Sequence, residues 1–189
     1  AAFGRTKRLL ARWLYSRADR IIGVSNDICE ELANDYDVNR YRLGVIENPI
    51  DIERIKKLSK AQFYDWRDEL LKQDYLVNVA SLTEQKNHEL LIHVYSRVVR
   101  HFPDLKLVLV GKGEKESEIR CLCNKLDLDI YGGGERSRTV ICSSQVFFLG
   151  FQENPYPFIE NSRLFVMTSH WEGMPITLLE SMALGKPIV

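Results

Sequence analysis

Two glutamates near the end of the sequence are well suited to hold a polar ligand. Glu172 follows an apolar run, in a loop that contains glycine and proline, and Glu180 lies eight residues later. Pro175 suits the first position of a helix, where a missing N–H is harmless, so Glu180 is predicted inside that helix. Eight helical residues span ~12 Å, more than the roughly 5–9.5 Å between paired glycosidase carboxylates. The carboxylates are therefore predicted to bind hydroxyl groups at separate places on one long ligand.

Two backbone features are suited to anion binding. The predicted helix has free N–H groups at Ile176 and Thr177, and a helix N-terminus attracts negative charge. Gly111 and Gly113 follow an apolar run and precede a helical pattern, as in a dinucleotide-binding loop, but the third glycine of that motif is absent. Because no Ser or Thr follows Lys112, the segment is not a P-loop either. Two interpretations of this glycine segment remain open: a tight turn, or a loop whose backbone approaches a nucleotide.

The elements that must position these residues alternate along the chain. Apolar runs predict strands at 19–25, 42–46, 75–80, 105–110, 146–149 and 164–167. Helical patterns cover 26–34, 51–73, 87–101, 114–126, 155–161 and 175–184, and a polar stretch at 130–145 predicts an inserted loop. This alternation predicts an α/β fold with a doubly wound parallel sheet. Ligands bind beyond the carboxyl ends of such strands, so the site is expected in the loops at 81–87, 111–114, 150–154 and 168–175.

Composition excludes several classes of protein. The 189 residues are 45% hydrophobic, with 26 Lys plus Arg and 26 Asp plus Glu, which argues against a disordered chain and against a nucleic-acid partner. No apolar run reaches the roughly 18 residues of a membrane span. The four cysteines match neither a disulfide framework nor a zinc motif. They predict reduced thiols in a cytosolic protein without a metal site; they are Cys29, Cys121, Cys123 and Cys142.

The two ends of the sequence lead to separate expectations. Residues 1–20 contain six basic residues and one acid, with apolar residues interleaved at helical spacing. Such a helix is compatible with peripheral contact to an anionic membrane, or with packing on a core while its basic face is solvated. The sequence begins with Ala1 rather than Met and ends at Val189, in what looks like the opening of a buried strand. We therefore expect the sequence to be a fragment of a longer chain.

The last forty residues resemble the donor site of retaining GT-B glycosyltransferases, the family of bacterial mannosyl- and glucosyltransferases. The matching motifs are Ser169, Glu172-Gly173-Met174-Pro175, Leu178-Leu179-Glu180-Ser181-Met182-Ala183 and Gly185-Lys186-Pro187-Ile188-Val189. Weaker similarities follow the family's order at 18–25, 45–51, 79–87 and 149–151. The resemblance covers residues 18–189.

The resemblance implies a Rossmann-like GT-B donor lobe, truncated at its C-terminus. Residues 1–50 would be the end of an acceptor domain, and residues 51–189 an incomplete domain that binds a nucleotide-sugar donor. The implied reaction moves the sugar, with retention, to a glycan or lipid-linked acceptor in polysaccharide biosynthesis. It needs no metal or other cofactor. The implied location is the cytoplasm, including the inner face of the membrane, and the fragment alone is expected to have little or no activity.

The resemblance also assigns roles to individual residues. Lys86 would neutralise the diphosphate and Glu172 would hold hydroxyls of the transferred sugar, and these two are the catalytic candidates. Glu180 would bind the ribose hydroxyls. The remaining donor-binding candidates are Ser81, Gly111, Gly113, Phe151, Gly173, Met174, Ile176 and Thr177.

One position departs from the family pattern. The family usually has Gly-Arg where this chain has Ala80-Ser81, and a guanidinium is a strong phosphate ligand. Lys86 could act alone, Lys112 or Arg138 could substitute for the missing arginine, or donor binding could be weakened.

Two alternatives of other classes remain open. One is another enzyme on the same architecture, a sugar-nucleotide epimerase or a glycogen-type phosphorylase. The other is a non-catalytic module that binds nucleotide sugars, which Ser81 favours.

Overall fold

The alternation of strands and helices predicted from the sequence is present in the structure. The computed structural model describes residues 5–132 and 143–189. The described residues form two compact units. The first comprises the chain up to Pro49 together with Glu172–Pro175, and the second comprises Ile50–Trp171 and Ile176–Val189.

The first unit is a pair of short parallel strands with two helices. Its elements are α1 (Arg5–Tyr15), β1 (Ile21–Gly23), α2 (Asn26–Tyr36), a 3₁₀ turn (Arg40–Arg42) and β2 (Leu43–Val45). Strands β1 and β2 pair in parallel. Ser25 caps α2, because its side chain accepts a hydrogen bond from the backbone N–H of Ile28 at 3.3 Å.

Helix α1 packs against α2 through its basic face. Arg8 pairs with Asp35 at 3.1 Å and Arg12 pairs with Asp37 at 2.7 Å. These carboxylates lie at the C-terminal end of α2, where the helix dipole disfavours acidic groups, so the two arginines offset that cost. Four apolar side chains of α1 are at least half exposed instead: Leu9, Leu10, Trp13 and Leu14. Among the helices that the structure describes, none is long and apolar enough to cross a membrane.

The second unit contains a five-stranded parallel sheet in the order β5-β6-β4-β3-β7. Its strands are β3 (Tyr75–Val79), β4 (Lys106–Val110), β5 (Ile130–Tyr131), β6 (Val146–Gly150) and β7 (Leu164–Phe165). Its helices are α3 (Ile52–Ser59), α4 (Trp66–Leu71), α5 (His88–Val98), α6 (Glu116–Lys125), α7 (Tyr156–Glu160) and α8 (Ile176–Ala183). The Rossmann-like α/β fold expected from the sequence is confirmed.

Helices cover both faces of this sheet, as a doubly wound fold requires. Leu107 and Leu109 of β4 pack on one face with side chains of α5 and α6. Val108 and Val110 pack on the opposite face with side chains of α4 and α7. Strand β4 is therefore apolar from Leu107 to Val110, because both of its faces are buried.

The structure corrects the first part of the loop predicted at 130–145. Ile130 and Tyr131 form the edge strand β5, which pairs with β6. The buried Tyr131 ring contacts Trp66, at 4.8 Å between centroids, and Phe147 at 5.3 Å. Aromatic and β-branched side chains suit such a half-buried position, so this short strand is stabilised by packing. Residues 133–142, with Arg138 and Cys142, lie outside the described residues.

The direction of winding reverses at β3. The chain runs from β3 to β4 on one side, whereas β7 pairs with the other side of β3. Ligands of open parallel sheets bind beyond the carboxyl ends of the strands at such a switch point. The loops that follow β3 and β7 therefore occupy the position where a ligand is expected. The strand opening predicted after Gly185 appears as a parallel bridge between Ile188 and Phe165.

Candidate functional site

The loop after β3 packs closely against the glycine loop after β4. Leu82 donates its backbone N–H to the carbonyl of Lys112 at 3.2 Å. A Cβ on Gly113 would lie 2.3 Å from the carbonyl oxygen of Leu82, and one on Gly111 would lie 1.9 Å from that of Ala80. Both glycines are therefore required by the approach of one loop backbone to the other, which supports the tight-turn interpretation. Ser81 is exposed between these contacts.

Lys86 is held at the entrance to α5. It ends a short 3₁₀ helix, Glu84–Lys86, and the next residue, Asn87, has φ 49°. Asn tolerates this left-handed conformation better than most residues, and its side chain accepts a hydrogen bond from the N–H of Leu90 at 3.3 Å. The backbone on the C-terminal side of Lys86 is thus fixed by a helix cap.

The loop after β7 is hydrogen-bonded to the loop that contains Lys86. Thr168 Oγ1 lies 3.2 Å from the carbonyl oxygen of Lys86 and 3.0 Å from that of Asn87, and donates to this pair. Gln85 Nε2 donates to the carbonyl of Trp171 at 2.9 Å. The N–H of His170 in turn donates to the carbonyl of Gln85 at 2.9 Å. The two loops at the switch point therefore form one connected backbone surface.

A buried polar pair lies beneath this surface. Asn78 of β3 donates its side-chain N–H to the carbonyl of Val166 at 2.8 Å, and its Oδ1 lies 3.0 Å from Nε2 of His88. Since Oδ1 can only accept, Nε2 of His88 must carry the proton. Burial, and secondly the positive charge of Lys86, lower the pKa of His88 to about 4. The imidazole is therefore neutral at pH 7.

This histidine predicts an acid-sensitive stability. The folded-state pKa of about 4 lies below the ordinary value, so the unfolded state binds the proton more tightly. Its contribution to stability is complete above about pH 6.5 and is lost as the pH falls towards 4. The loss should reach about 3 kcal/mol.

Urea unfolding between pH 4 and 7.5 measures this effect. We expect a steeper fall in stability for the wild type than for His88→Gln, which lacks the titrating group. His101→Gln, at an exposed position, should keep the wild-type pH dependence. Parallel curves for the wild type and His88→Gln would contradict the prediction.

An exposed aromatic ring lies at the same edge of the sheet. Phe151 follows β6 and is 68% exposed. The N–H of Gly111 donates to the carbonyl of Gly150 at 2.8 Å, which brings the ends of β4 and β6 together. Lys112 Nζ lies 5.9 Å from the centre of the Phe151 ring. A flat apolar surface beside a cation is suited to stacking an aromatic base.

Helix α8 presents the second glutamate. Ile176 and Thr177 lie four and three positions before Glu180, so both are its neighbours on the helix surface. The carboxylate of Glu180 accepts a hydrogen bond from the hydroxyl of Tyr156 at 2.7 Å. This side chain is thereby fixed from outside its own helix.

The segment with Glu172 belongs to the first unit. The side-chain N–H of Asn48 donates to the carbonyl of Met174 at 2.9 Å. A Cβ on Gly173 would lie 3.2 Å from Cγ2 of Val24, so the glycine permits close packing there. Asn48 is thus a structural partner of the predicted site segment.

The structure thus places the candidate residues in three groups. At the carboxyl edge of the sheet lie Ser81, Lys86, Gly111, Gly113 and Phe151. The α8 group is Ile176, Thr177 and Glu180, and the first unit contains Glu172, Gly173 and Met174. Within residues 5–132 and 143–189, no three His, Cys, Asp or Glu side chains are placed together to hold a metal ion.

Comparison with known families decides what these groups belong to. Residues 63–189 match the family model described as glycosyl transferases group 1, and residues 1–54 match that of glycosyltransferase family 4. The chain belongs to the glycosyl transferases group 1 family. The resemblance to GT-B glycosyltransferases drawn from the sequence is confirmed.

Glycosyltransferases of other organisms match almost the whole chain. An uncharacterised glycosyltransferase from Methanocaldococcus jannaschii is 28% identical over 182 residues, which are 96% of this chain and 41% of the relative. The Campylobacter jejuni protein named N-acetylgalactosamine-N,N'-diacetylbacillosaminyl-diphospho-undecaprenol 4-alpha-N-acetylgalactosaminyltransferase is 30% identical over 182 residues, 96% of this chain and 44% of that protein.

A solved structure confirms the fold. HepE from Anabaena, crystallised in complex with UDP-glucose, superposes with a TM-score of 0.76 at 22% identity, covering 98% of this chain and 48% of HepE. The chain therefore spans about half the length of the glycosyltransferases that it matches.

Four side chains that support the candidate residues, or the buried histidine beneath them, were not predicted from the sequence. Gln85 and Thr168 connect the two loops, Asn78 holds His88, and Tyr156 binds Glu180. Gln, Thr and Tyr are common types whose partners lie far away in sequence, so no local pattern could identify them. Asn78 had one signal, since a polar residue inside an apolar strand indicates a buried hydrogen bond.

Proposed function

We propose that this chain forms the nucleotide-sugar-binding part of a glycosyltransferase. The enzyme would move a sugar, with retention, from a nucleoside diphosphate to a hydroxyl group of a glycan or lipid-linked acceptor. The observation that supports this most directly is the hydrogen-bonded pair of loops at the switch point of the sheet. Family membership supports the reaction class.

Positive charge near the leaving diphosphate is the chemical basis of the proposal. Lys86 supplies an ammonium group, and the first turn of α8 supplies the N–H groups of Ile176 and Thr177. Fixed charges and dipoles of this kind lower the barrier where negative charge develops. We assign the departing diphosphate to these groups, without a metal ion.

The nucleoside would be held at both of its ends. We assign the ribose hydroxyls to Glu180, because one carboxylate accepts hydrogen bonds from a vicinal diol. We assign the base to Phe151, whose exposed ring lies beside Lys112. Glu172 is assigned to hydroxyls of the transferred sugar through the family motif.

The acceptor class is inferred from relatives. The name of the Campylobacter jejuni relative includes a sugar linked to diphospho-undecaprenol. We therefore propose a lipid-linked acceptor and a place of action at the inner face of the membrane. The exposed apolar residues of α1, such as Leu10 and Trp13, support such peripheral contact.

Calorimetric titration of the 189-residue chain with UDP, GDP, ADP and their sugars tests the donor assignment. We expect the nucleotides of one base to bind with measurable heat, and the free sugar to give none. A transfer assay on the same chain, which spans half of its relatives, is expected to show little or no turnover. If none of the nucleotides bound, the donor assignment would be wrong, and robust turnover would refute the expected inactivity.

A further inference from the structure

Glu180 is connected to a tyrosine on a different helix. The Tyr156 hydroxyl donates to Glu180 Oε1 at 2.7 Å, the usual distance of an O–H···O hydrogen bond. Helices α7 and α8 contact each other, and α3 packs against both. The two side chains thus meet within a cluster of three helices.

The backbone of Tyr156 is also fixed to this cluster. Asn154 Oδ1 accepts a hydrogen bond from the N–H of Tyr156 at 3.3 Å. The side-chain N–H of the same asparagine donates to the carbonyl of Leu58, on α3, at 2.9 Å. The ring of Tyr156 packs against the core that contains Phe158 and Ile159. The tyrosine is therefore a rigid support.

The hydroxyl of Tyr156 is a donor at neutral pH. Burial, followed by the hydrogen bond to Glu180, raises the pKa of Tyr156 to about 12. The O–H consequently stays protonated while it contacts the carboxylate. With Oε1 of Glu180 held in this way, the plane of the carboxylate is set, and Oε2 remains for other donors.

We propose that Tyr156 is a positioning residue, whose hydroxyl fixes the Glu180 carboxylate in the orientation that binds the ribose diol of the donor nucleotide. The inference rests on the role proposed above for Glu180. A freely rotating glutamate must lose side-chain entropy when it binds a diol. Tyr156 removes part of that loss in advance and so favours ribonucleotides over nucleotides without the diol.

Calorimetry with UDP and 2′,3′-dideoxy-UDP tests this proposal. We expect Tyr156→Phe to weaken UDP binding about 3- to 10-fold and to leave binding of the dideoxy compound close to that of the wild type. In a Glu180→Gln background, the same change should have little further effect. The ratio of the two affinities is the decisive quantity, because a general loss of stability would lower both.

Tyr75→Phe is the matched control. It removes the hydroxyl of a different tyrosine in the same unit, which donates to the carbonyl of Phe158 at 2.8 Å. This change should lower stability without changing the affinity ratio. If Tyr156→Phe kept the wild-type ratio of UDP to dideoxy-UDP affinity while Glu180→Gln lost it, the inference about Tyr156 would be wrong and the role of Glu180 would be supported. If Glu180→Gln also kept the wild-type ratio, the inference about Tyr156 and the proposed role of Glu180 would both be wrong.

Discussion

Replacing Lys86 with alanine is expected to weaken the binding of UDP by about 10- to 100-fold, the loss typical of a charge-assisted hydrogen bond. The backbone of Lys86 is held by Thr168 and by the helix cap at Asn87, so its ammonium group starts from a fixed point. In the proposed function, Lys86 neutralises a larger share of the diphosphate charge, because Ser81 stands where the resembled family usually has an arginine.

Isothermal titration at two salt concentrations measures this loss. Lys115→Ala is the control. Lys115 pairs with Glu84 at 3.0 Å and with Glu118 at 2.8 Å, so its replacement should leave the affinity for UDP unchanged. Binding of uridine, which has no phosphate, should be equal in the wild type and Lys86→Ala. A Lys86→Ala protein that bound UDP like the wild type would shift the assignment to Lys112, for which Lys112→Ala is the direct test.

Replacing Gly111 with alanine is expected to destabilise the protein by about 3 kcal/mol or more. Its φ of +143° is a conformation that residues with a Cβ rarely adopt, and the new Cβ would lie 1.9 Å from the carbonyl oxygen of Ala80. Because that oxygen belongs to backbone, the clash requires one of the two loops to move. The loop after β3 would shift, and the affinity for UDP should fall together with stability.

Gly150→Ala adds a Cβ at another positive φ, but without a clash. Gly150 has φ +66° and no atom within 4 Å of the added Cβ, so only the conformational cost of about 1 kcal/mol is expected. Chemical denaturation of both variants gives the comparison. Equal destabilisation of Gly111→Ala and Gly150→Ala would mean that the contact between the loops has little weight.

Much of the second unit was predictable because its strands are buried on both faces. Strands β3 and β4 are apolar except for Asn78 and Lys106, and such strands leave few alternatives to a parallel sheet. The two-residue strand β5 was not predictable, since it is stabilised by the packing of Tyr131 on Trp66 and Phe147. Contacts between residues so distant in sequence leave no periodic signal.

The loops of the candidate site could be predicted from the sequence, but the side chains that hold those loops and residues in place could not. Position after a strand was sufficient to predict that Lys86 and Gly111 would lie at the carboxyl edge. Their supports depend on pairings such as Thr168 with Lys86, 82 residues apart, and Tyr156 with Glu180, 24 residues apart. Only the three-dimensional structure shows which polar groups form hydrogen bonds with each other.

The contact between Asn48 and Met174 has a consequence for how the protein is made. These residues are 126 positions apart in sequence, and ribosomes add about 5–20 residues per second. Residues up to Pro49 are therefore synthesised about 6–25 s before the segment that completes their unit. During this interval, the sheet from β3 to β7 is produced and can fold first. The Glu172 segment thus joins its partners only after most of the second unit exists, so the order of assembly differs from the order of synthesis.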